Sequence, residues 1–305
     1  METIPLQNME FETTPIQEIT NPTLVEKGLR LLIKRDDLNH PIISGNKLRK
    51  LKYNLAEAKA QKHHTLLTFG GAFSNHIYAV AGAGKAFGFK TIGIIRGEAQ
   101  APLNPTLAFA KACGMQFHYM DRTTYRNKTS PQVQSQLKKQ FGLYYMLPEG
   151  GTNELAIKGC EEVIHEVDTA FDVLCCPVGT GGTLSGLIIG LKGDKKVIGF
   201  SSLKGSFLEN EVSELLKGYG QKKLTNWQIQ NDYHFGGYAK VKPVLTDFIN
   251  NFEKVCQIPL EPIYTGKMFY GIFDLIEKDY FPKGTTILAL HTGGLQGNAG
   301  FDFRN

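Results

Sequence analysis

The 305-residue sequence predicts an α/β protein of open, twisted, mostly parallel sheets flanked by helices. Two observations carry that prediction. From Thr65 onward, short apolar runs of strand character alternate with longer segments of helical periodicity, and the turns between them are rich in glycine. Glycine supplies 33 of the 305 residues, about 11% against a usual ~7%, and these residues cluster.

The elements follow in chain order. Leu48, Leu51 and Leu55 recur at helical spacing. A strand is expected at Thr65–Phe69, then a helix opened by Ser74-Asn75-His76 and continuing through Tyr78–Phe87, then a strand at Thr91–Ile95. Pro102 and Pro105 suit the first turn of a helix running to Cys113, with Gly114 placed to end it. Met115–Met120 reads as a strand, the polar stretch Thr123–Gln140 as a solvated helix, and Leu143–Leu147 as a strand. Leu155, Val163, Ile164 and Val167 mark another helix. A buried strand at Phe171–Cys176 leads to a helix starting near Thr183, and strands follow at Val197–Phe200 and Thr286–Leu290. Such alternation implies parallel sheets covered on both faces. Pro148–Asn153 is a turn-rich break, so a smaller α/β domain is expected at 52–147 and a larger one from 1–51 and 148–305.

Composition narrows the class. Hydrophobic residues at 42% and charged residues at 21% are those of a folded globular chain. No run approaches ~18 apolar residues, and Met1–Phe11 lacks the basic start and apolar stretch of a secretory signal, so a cytoplasmic protein with no membrane span is expected. Five cysteines (Cys113, Cys160, Cys175, Cys176, Cys256) show no C-x-x-C pair and no histidine at zinc spacing, which predicts free thiols and no metal site. The net charge of +5 comes from 34 basic and 29 acidic residues, with the lysines dispersed. A small anionic ligand accounts for it without nucleic acid.

Several turns have the residues for chemistry. Gly179-Thr180-Gly181-Gly182-Thr183 joins a buried strand to a helix. There, bare backbone N–H groups and the positive end of the helix dipole favour phosphate. No Lys-Ser/Thr follows and position 184 is Leu, so neither the nucleotide P-loop nor G-x-G-x-x-G applies. The segment reads equally as a tight turn without a ligand. Lys47, in Ser44-Gly45-Asn46-Lys47-Leu48-Arg49-Lys50, is an ordinary solvated charge or a Schiff-base lysine, the latter needing desolvation or the positive potential of Arg49, Lys50 and Lys52. Ser74 and Asn75 are plain helix caps or a carboxylate site. Gly150-Gly151, Gly236-Gly237, Tyr264-Thr265 and His291-Thr292-Gly293-Gly294 complete the set, several at strand ends where α/β ligands gather.

In this order, together with Lys34-Arg35-Asp36-Asp37-Leu38, these stretches resemble the pyridoxal-phosphate (PLP) enzymes of the tryptophan-synthase β-like fold, fold type II. They are most similar to the 1-aminocyclopropane-1-carboxylate (ACC) deaminase/D-cysteine desulfhydrase family. The resemblance runs from Lys34 to Gly294. It implies that Lys47 carries the cofactor and that Gly179, Thr180, Gly181, Gly182 and Thr183 hold its phosphate. Asn75, Thr265 and Thr292 would touch its ring, while Ser74, Asn75 and His76 would grip the substrate carboxylate. Tyr238 and Tyr264 match tyrosines placed over the substrate, and a homodimer is implied.

Within that family, ACC deaminases carry Glu after the tyrosine, holding the pyridine nitrogen protonated for a substrate without an α-hydrogen. Thr265 and Thr292 cannot do so as a carboxylate would. The expected activity is therefore D-cysteine desulfhydrase-like β-elimination, yielding pyruvate, ammonia and hydrogen sulfide. ACC deaminase is the alternative, and a non-catalytic protein binding PLP or an anionic metabolite is the alternative from another class. Segment 201–240 aligns only at Tyr238, and the chain ends soon after Gly294, which leaves the leaving group and stereochemistry open.

Overall fold

A computed structural model describes residues 13–221 and 223–301. The signal-free start expected at residues 1–11 lies outside them. In order, the elements are β1 (Ile16–Ile19), α1 (Pro22–Lys27), β2 (Arg30–Lys34), α2 (Asn46–Ala60), β3 (Thr65–Gly70), α3 (Asn75–Phe87), β4 (Lys90–Arg96), α4 (Pro105–Ala112), β5 (Gln116–Met120), α5 (Arg122–Arg126), α6 (Pro131–Phe141) and β6 (Tyr145–Leu147). There follow α7 (Glu154–His165), β7 (Val173–Val178), α8 (Gly182–Leu191), β8 (Lys196–Ser201), α9 (Leu208–Gly218), β9 (Trp227–Gln230), α10 (Pro243–Cys256), α11 (Thr265–Glu277) and β10 (Thr286–Leu290).

The strands form two sheets. One has the order β5-β4-β3-β6 and is parallel throughout. The other has the order β1-β2-β10-β7-β8-β9, parallel except for β1, which runs antiparallel to β2. Register places Ile287 opposite Leu31 on one side and Val173 on the other.

Alternation along the central strands explains why they read as nearly continuous apolar runs. Leu31, Ile33, Cys175, Ile287 and Ala289 face a core shared with α10 and α11. Their neighbours Leu32, Leu174, Cys176, Leu288 and Leu290 face the opposite core, shared with α7, α8 and α9. The smaller sheet is treated alike, with Leu66 and Ile95 against α2, α3 and α4, and Leu67, Phe69 and Ile94 against α5 and α6. Leu48, Leu51 and Leu55 are all buried, as their spacing predicts.

Local signals moved some boundaries. Asn104 caps α4 by accepting from the Leu107 N–H at 2.9 Å, so Pro105 takes the first turn and Pro102 precedes the helix. The polar stretch 123–140 is two helices, because Ser130 caps a new start whose first residue is Pro131. Strand β7 runs two residues beyond the expected Cys176, to Val178. Strands β1, β2 and β9 come as additions, and none of the five cysteines is in a disulfide. Among the described residues no helix is long and apolar enough to cross a membrane, and no group of side chains is set to hold a metal ion.

Candidate active site

The carboxyl ends of β3, β4, β7 and β10 deliver their loops to one cavity of about 1140 Å³, the usual place for ligands in open α/β sheets. Lys47, Ser74, Asn75, His76, Gly179, Thr180, Gly181, Thr183, Tyr238, Tyr264 and Thr292 all line it. Gly182 starts α8 behind that wall. Thr265 is fully buried away from the cavity.

Lys47 sits in the first turn of α2, and its position is fixed by what precedes it. Gly45 has φ +67°, and a Cβ there would collide with the Thr292 carbonyl, so only glycine lets the two loops approach. The Asn46 N–H then donates to that carbonyl at 3.2 Å. The Lys47 amine donates to Asn46 Oδ1 at 2.9 Å. Burial, with the positive Lys50 beside it, pulls the amine down to about 7. The neutral amine, the state a nucleophile or base needs, is thereby brought within reach of physiological pH.

The three cations of the α2 start point in different directions. Arg49 is bidentate to Asp36 (2.6 and 2.8 Å) and to Glu166 (2.6 and 2.8 Å), and Lys52 pairs with Glu162 at 2.7 Å. Their charge is spent on partners, so of the three expected to supply positive potential, only Lys50 faces the cavity. Its amine donates to the Gly150 carbonyl (3.0 Å) and Thr152 Oγ1 (3.2 Å) and, among the described residues, has no carboxylate partner, although it is 2% exposed.

Lys50 lies beside the start of α8. A Cβ on Gly182 would stand 3.2 Å from Lys50 Nζ and 2.8 Å from Thr152 Oγ1, and one on Gly181 would touch Val212 at 3.0 Å. No side chain caps α8. Thr152 and Thr180 hydroxyls meet at 2.5 Å, and Thr183 Oγ1 accepts from Asn46 Nδ2 at 2.9 Å. An uncapped helix N-terminus, a hydroxyl pair and a buried, uncompensated lysine converge where side chains are excluded. That donor set fits a phosphate dianion.

Ser74 caps α3, its Oγ accepting from the Ile77 N–H at 3.3 Å. Asn75 Oδ1 accepts from Gln296 Nε2 at 2.8 Å. His76 is buried, its ring packed against the Gly151 turn. Burial, reinforced by Lys47 and Lys50, holds its ring well below the usual histidine range and therefore neutral. Tyr238 and Tyr264 stand edge to face, centroids 6.2 Å apart, and burial raises both phenols so that they stay protonated.

Glu261 organises the α11 start. Its carboxylate accepts from the N–H groups of Ile263 (2.8 Å), Tyr264 (2.8 Å) and Thr265 (2.6 Å). The Thr265 hydroxyl joins the same knot, accepting from the Glu261 N–H at 3.1 Å and lying 3.3 Å from Oε1. The amine of Lys267 donates to the His234 and Gly237 carbonyls (2.9 and 2.8 Å), tying α11 to the turn that presents Tyr238. Lys50, Thr152, Arg96, Tyr125 and Glu149 also belong to the neighbourhood. Of these, the sequence marks Lys50 as an undirected charge and places Glu149 and Thr152 only within the turn-rich break Pro148–Asn153.

Residues 8–293 match the family model described as pyridoxal-phosphate dependent enzyme. A Pyrococcus horikoshii protein provisionally named as an ACC deaminase is 33% identical over 298 residues, covering 93% of this chain and 90% of that one. An Arabidopsis thaliana mitochondrial protein named as a bifunctional D-cysteine desulfhydrase/ACC deaminase is 31% identical, covering 93% and 77%. A crystal structure described as an ACC deaminase homologue superimposes with a TM-score of 0.80 at 31% identity, covering 93% and 90%.

Proposed function

The chain belongs to the pyridoxal-phosphate dependent enzymes, within the ACC deaminase group, and from that premise we propose that it β-eliminates small amino acids. D-cysteine, with water, would give pyruvate, ammonia and hydrogen sulfide. The observation that carries this choice is the threonine after Tyr264. Position 265 offers a hydroxyl held in the Glu261 knot, and the Glu261 carboxylate is itself occupied by three N–H groups. No free carboxylate is left on that loop to stabilise a protonated pyridine, as ring opening of ACC demands.

When bound, the cofactor supplies the conjugated system that takes up the charge left by a departing α-proton. The protein side chains supply the rest. Lys50, Thr180, Thr183 and the N–H groups opening α8 would hold the phosphate, and Asn75 and Thr292 would contact the ring. Lys47, whose amine is pulled down to about 7, would carry the cofactor and, once displaced by the substrate amine, would take the α-proton as general base. The N-terminus of α3, with Ser74, Asn75 and His76, receives the substrate carboxylate. Tyr238 and Tyr264 keep their protons and can each donate a hydrogen bond to a leaving thiolate. By the same family membership a homodimer is proposed, which light scattering would report.

ACC deamination is the second reading, favoured by the names of the relatives. Purified enzyme is offered D-cysteine and ACC in parallel. Pyruvate from D-cysteine at rates well above 2-oxobutanoate from ACC supports the proposal; comparable rates overturn the threonine argument. Lys47→Ala should lose turnover by about 10³-fold or more together with the yellow colour. Turnover retained in that variant removes Lys47 as the essential base.

A further inference from the structure

The cavity has more room and more positive charge than a cofactor and a three-carbon substrate use. Its volume of about 1140 Å³ exceeds the common range of roughly 300–1,000 Å³ for small-molecule sites. Seven lysines and arginines line it against three glutamates. Lys47 and Lys50 have the roles argued above, and Lys128 is paired with Glu149 at 3.0 Å. The other oxygen of Glu149 accepts from the Tyr125 hydroxyl at 2.9 Å. Among the described residues, the remaining four, Lys240 and the three arginines Arg96, Arg122 and Arg126, face this one cavity with no carboxylate within ion-pair distance.

Arg96 is the best placed of the three. It ends β4, and a Cβ on Gly71 would lie 3.5 Å from its Nη2, so the guanidinium runs along the turn that leads to Ser74. Its Cζ stands 5.8 Å from the Tyr125 ring centroid. Its charge also reaches Tyr238 and Tyr264, favouring their ionised forms against burial. The guanidinium thus borders the space between the carboxylate grip and the two tyrosines. A planar fork of donors without a partner in that place matches a carboxylate, sulfonate or phosphate.

We propose that Arg96, flanked by Arg122, is a specificity-determining residue that binds a second anionic group at the far end of the substrate side chain. The inference rests on the amino-acid site described under the proposed function and adds to it a preference for amino acids with an anionic side chain.

Aspartate and asparagine, nearly equal in size and differing in charge, are the probes, each as both enantiomers. Binding to the PLP-loaded enzyme is followed by the change in cofactor absorbance. The expected result is one enantiomer of aspartate binding about tenfold or more tighter than the matching asparagine. That ratio should shrink with added salt, since the guanidinium is exposed to solvent, and fall toward unity in Arg96→Gln, with a smaller fall in Arg122→Gln. Equal affinities in the wild type, or a ratio unchanged in both variants, would overturn the proposal. So would a parallel loss of aspartate and asparagine binding in Arg96→Gln. D-cysteine turnover without a charge preference sinks this inference alone, and a charge preference without turnover of D-cysteine or ACC sinks only the proposed reaction.

Discussion

Lys47 and Lys50 lie one helical turn apart and are desolvated together, yet they have opposite consequences. For Lys47 the burial and the neighbouring cation lower the amine to about 7. Cofactor uptake by the apo-protein should therefore speed up as pH rises through about 7 and level off about two units higher, followed by stopped-flow absorbance. A flat profile from pH 6 to 9 would contradict the assignment of that amine. For Lys50, burial also lowers the ammonium, and no carboxylate repays its desolvation. Lys50→Met should weaken PLP binding by about 10- to 100-fold, the worth of a charge-assisted contact, while leaving the apo-protein at least as stable in urea. Weakened apo stability would mean that the ammonium is a structural prop. The sequence made Lys47 conspicuous by its glycine-asparagine setting. It could not show which way Arg49, Lys50 and Lys52 point, because direction around a helix start depends on Asp36, Glu166 and Glu162, up to 117 residues distant.

The first turn of α2 is held from outside the site. Arg49 joins Asp36, in the turn after β2, to Glu166 at the end of α7, and Lys34 adds a pair to Glu166 at 3.0 Å. Removing one member of such a network strands the others, at a cost of about 3–5 kcal/mol. Arg49→Leu should lose that much in urea unfolding, and an effect under 1 kcal/mol would show that the network is dispensable. Glu166 also gives acid sensitivity. Burial pushes its carboxyl up, but Arg49 and Lys34 outweigh burial and hold it below its usual value of 4.5. Its stabilisation is complete above that value and fades as pH falls beneath it. Of the seven strands legible in the sequence, β3, β4, β7, β8 and β10 are apolar runs buried on both faces, which leave a plain trace, β5 and β6 are half-buried edge strands, and Pro105 and Asn104 set α4 closely. Strand β2 is just as apolar, but it was read for its Lys34-Arg35-Asp36-Asp37 tail. Strand β9 is half-buried with no apolar run. The break between α5 and α6 is encoded by Ser130-Pro131, a cap and first-turn proline whose signal is masked by the polar residues on either side.

In the whole molecule, the cavity draws its walls from the ends of both sheets. Gly71 to His76 and Arg96 come from the smaller sheet, Pro177 to Thr183 and Thr292 from the larger. Sequence order could not reveal this meeting, since β2 and β10, neighbours in the larger sheet, are separated by nearly the whole chain. A ligand seated there touches both sheets and should stabilise them jointly. A ligand that binds only the folded state, at a hundred times its dissociation constant, adds about 2.7 kcal/mol. For a chain of this size that corresponds to a rise in Tm of roughly 4 °C. Stripping PLP from the enzyme should lower Tm by this amount in a single transition, and Lys50→Met should close most of the gap by weakening the holo form alone. Two separate transitions, with only one moving on PLP removal, would mean that the cofactor is held by one sheet's loops. Lys47 would then carry it without help from the 71–76 turn, and the carboxylate grip assigned to Ser74, Asn75 and His76 would have to lie elsewhere.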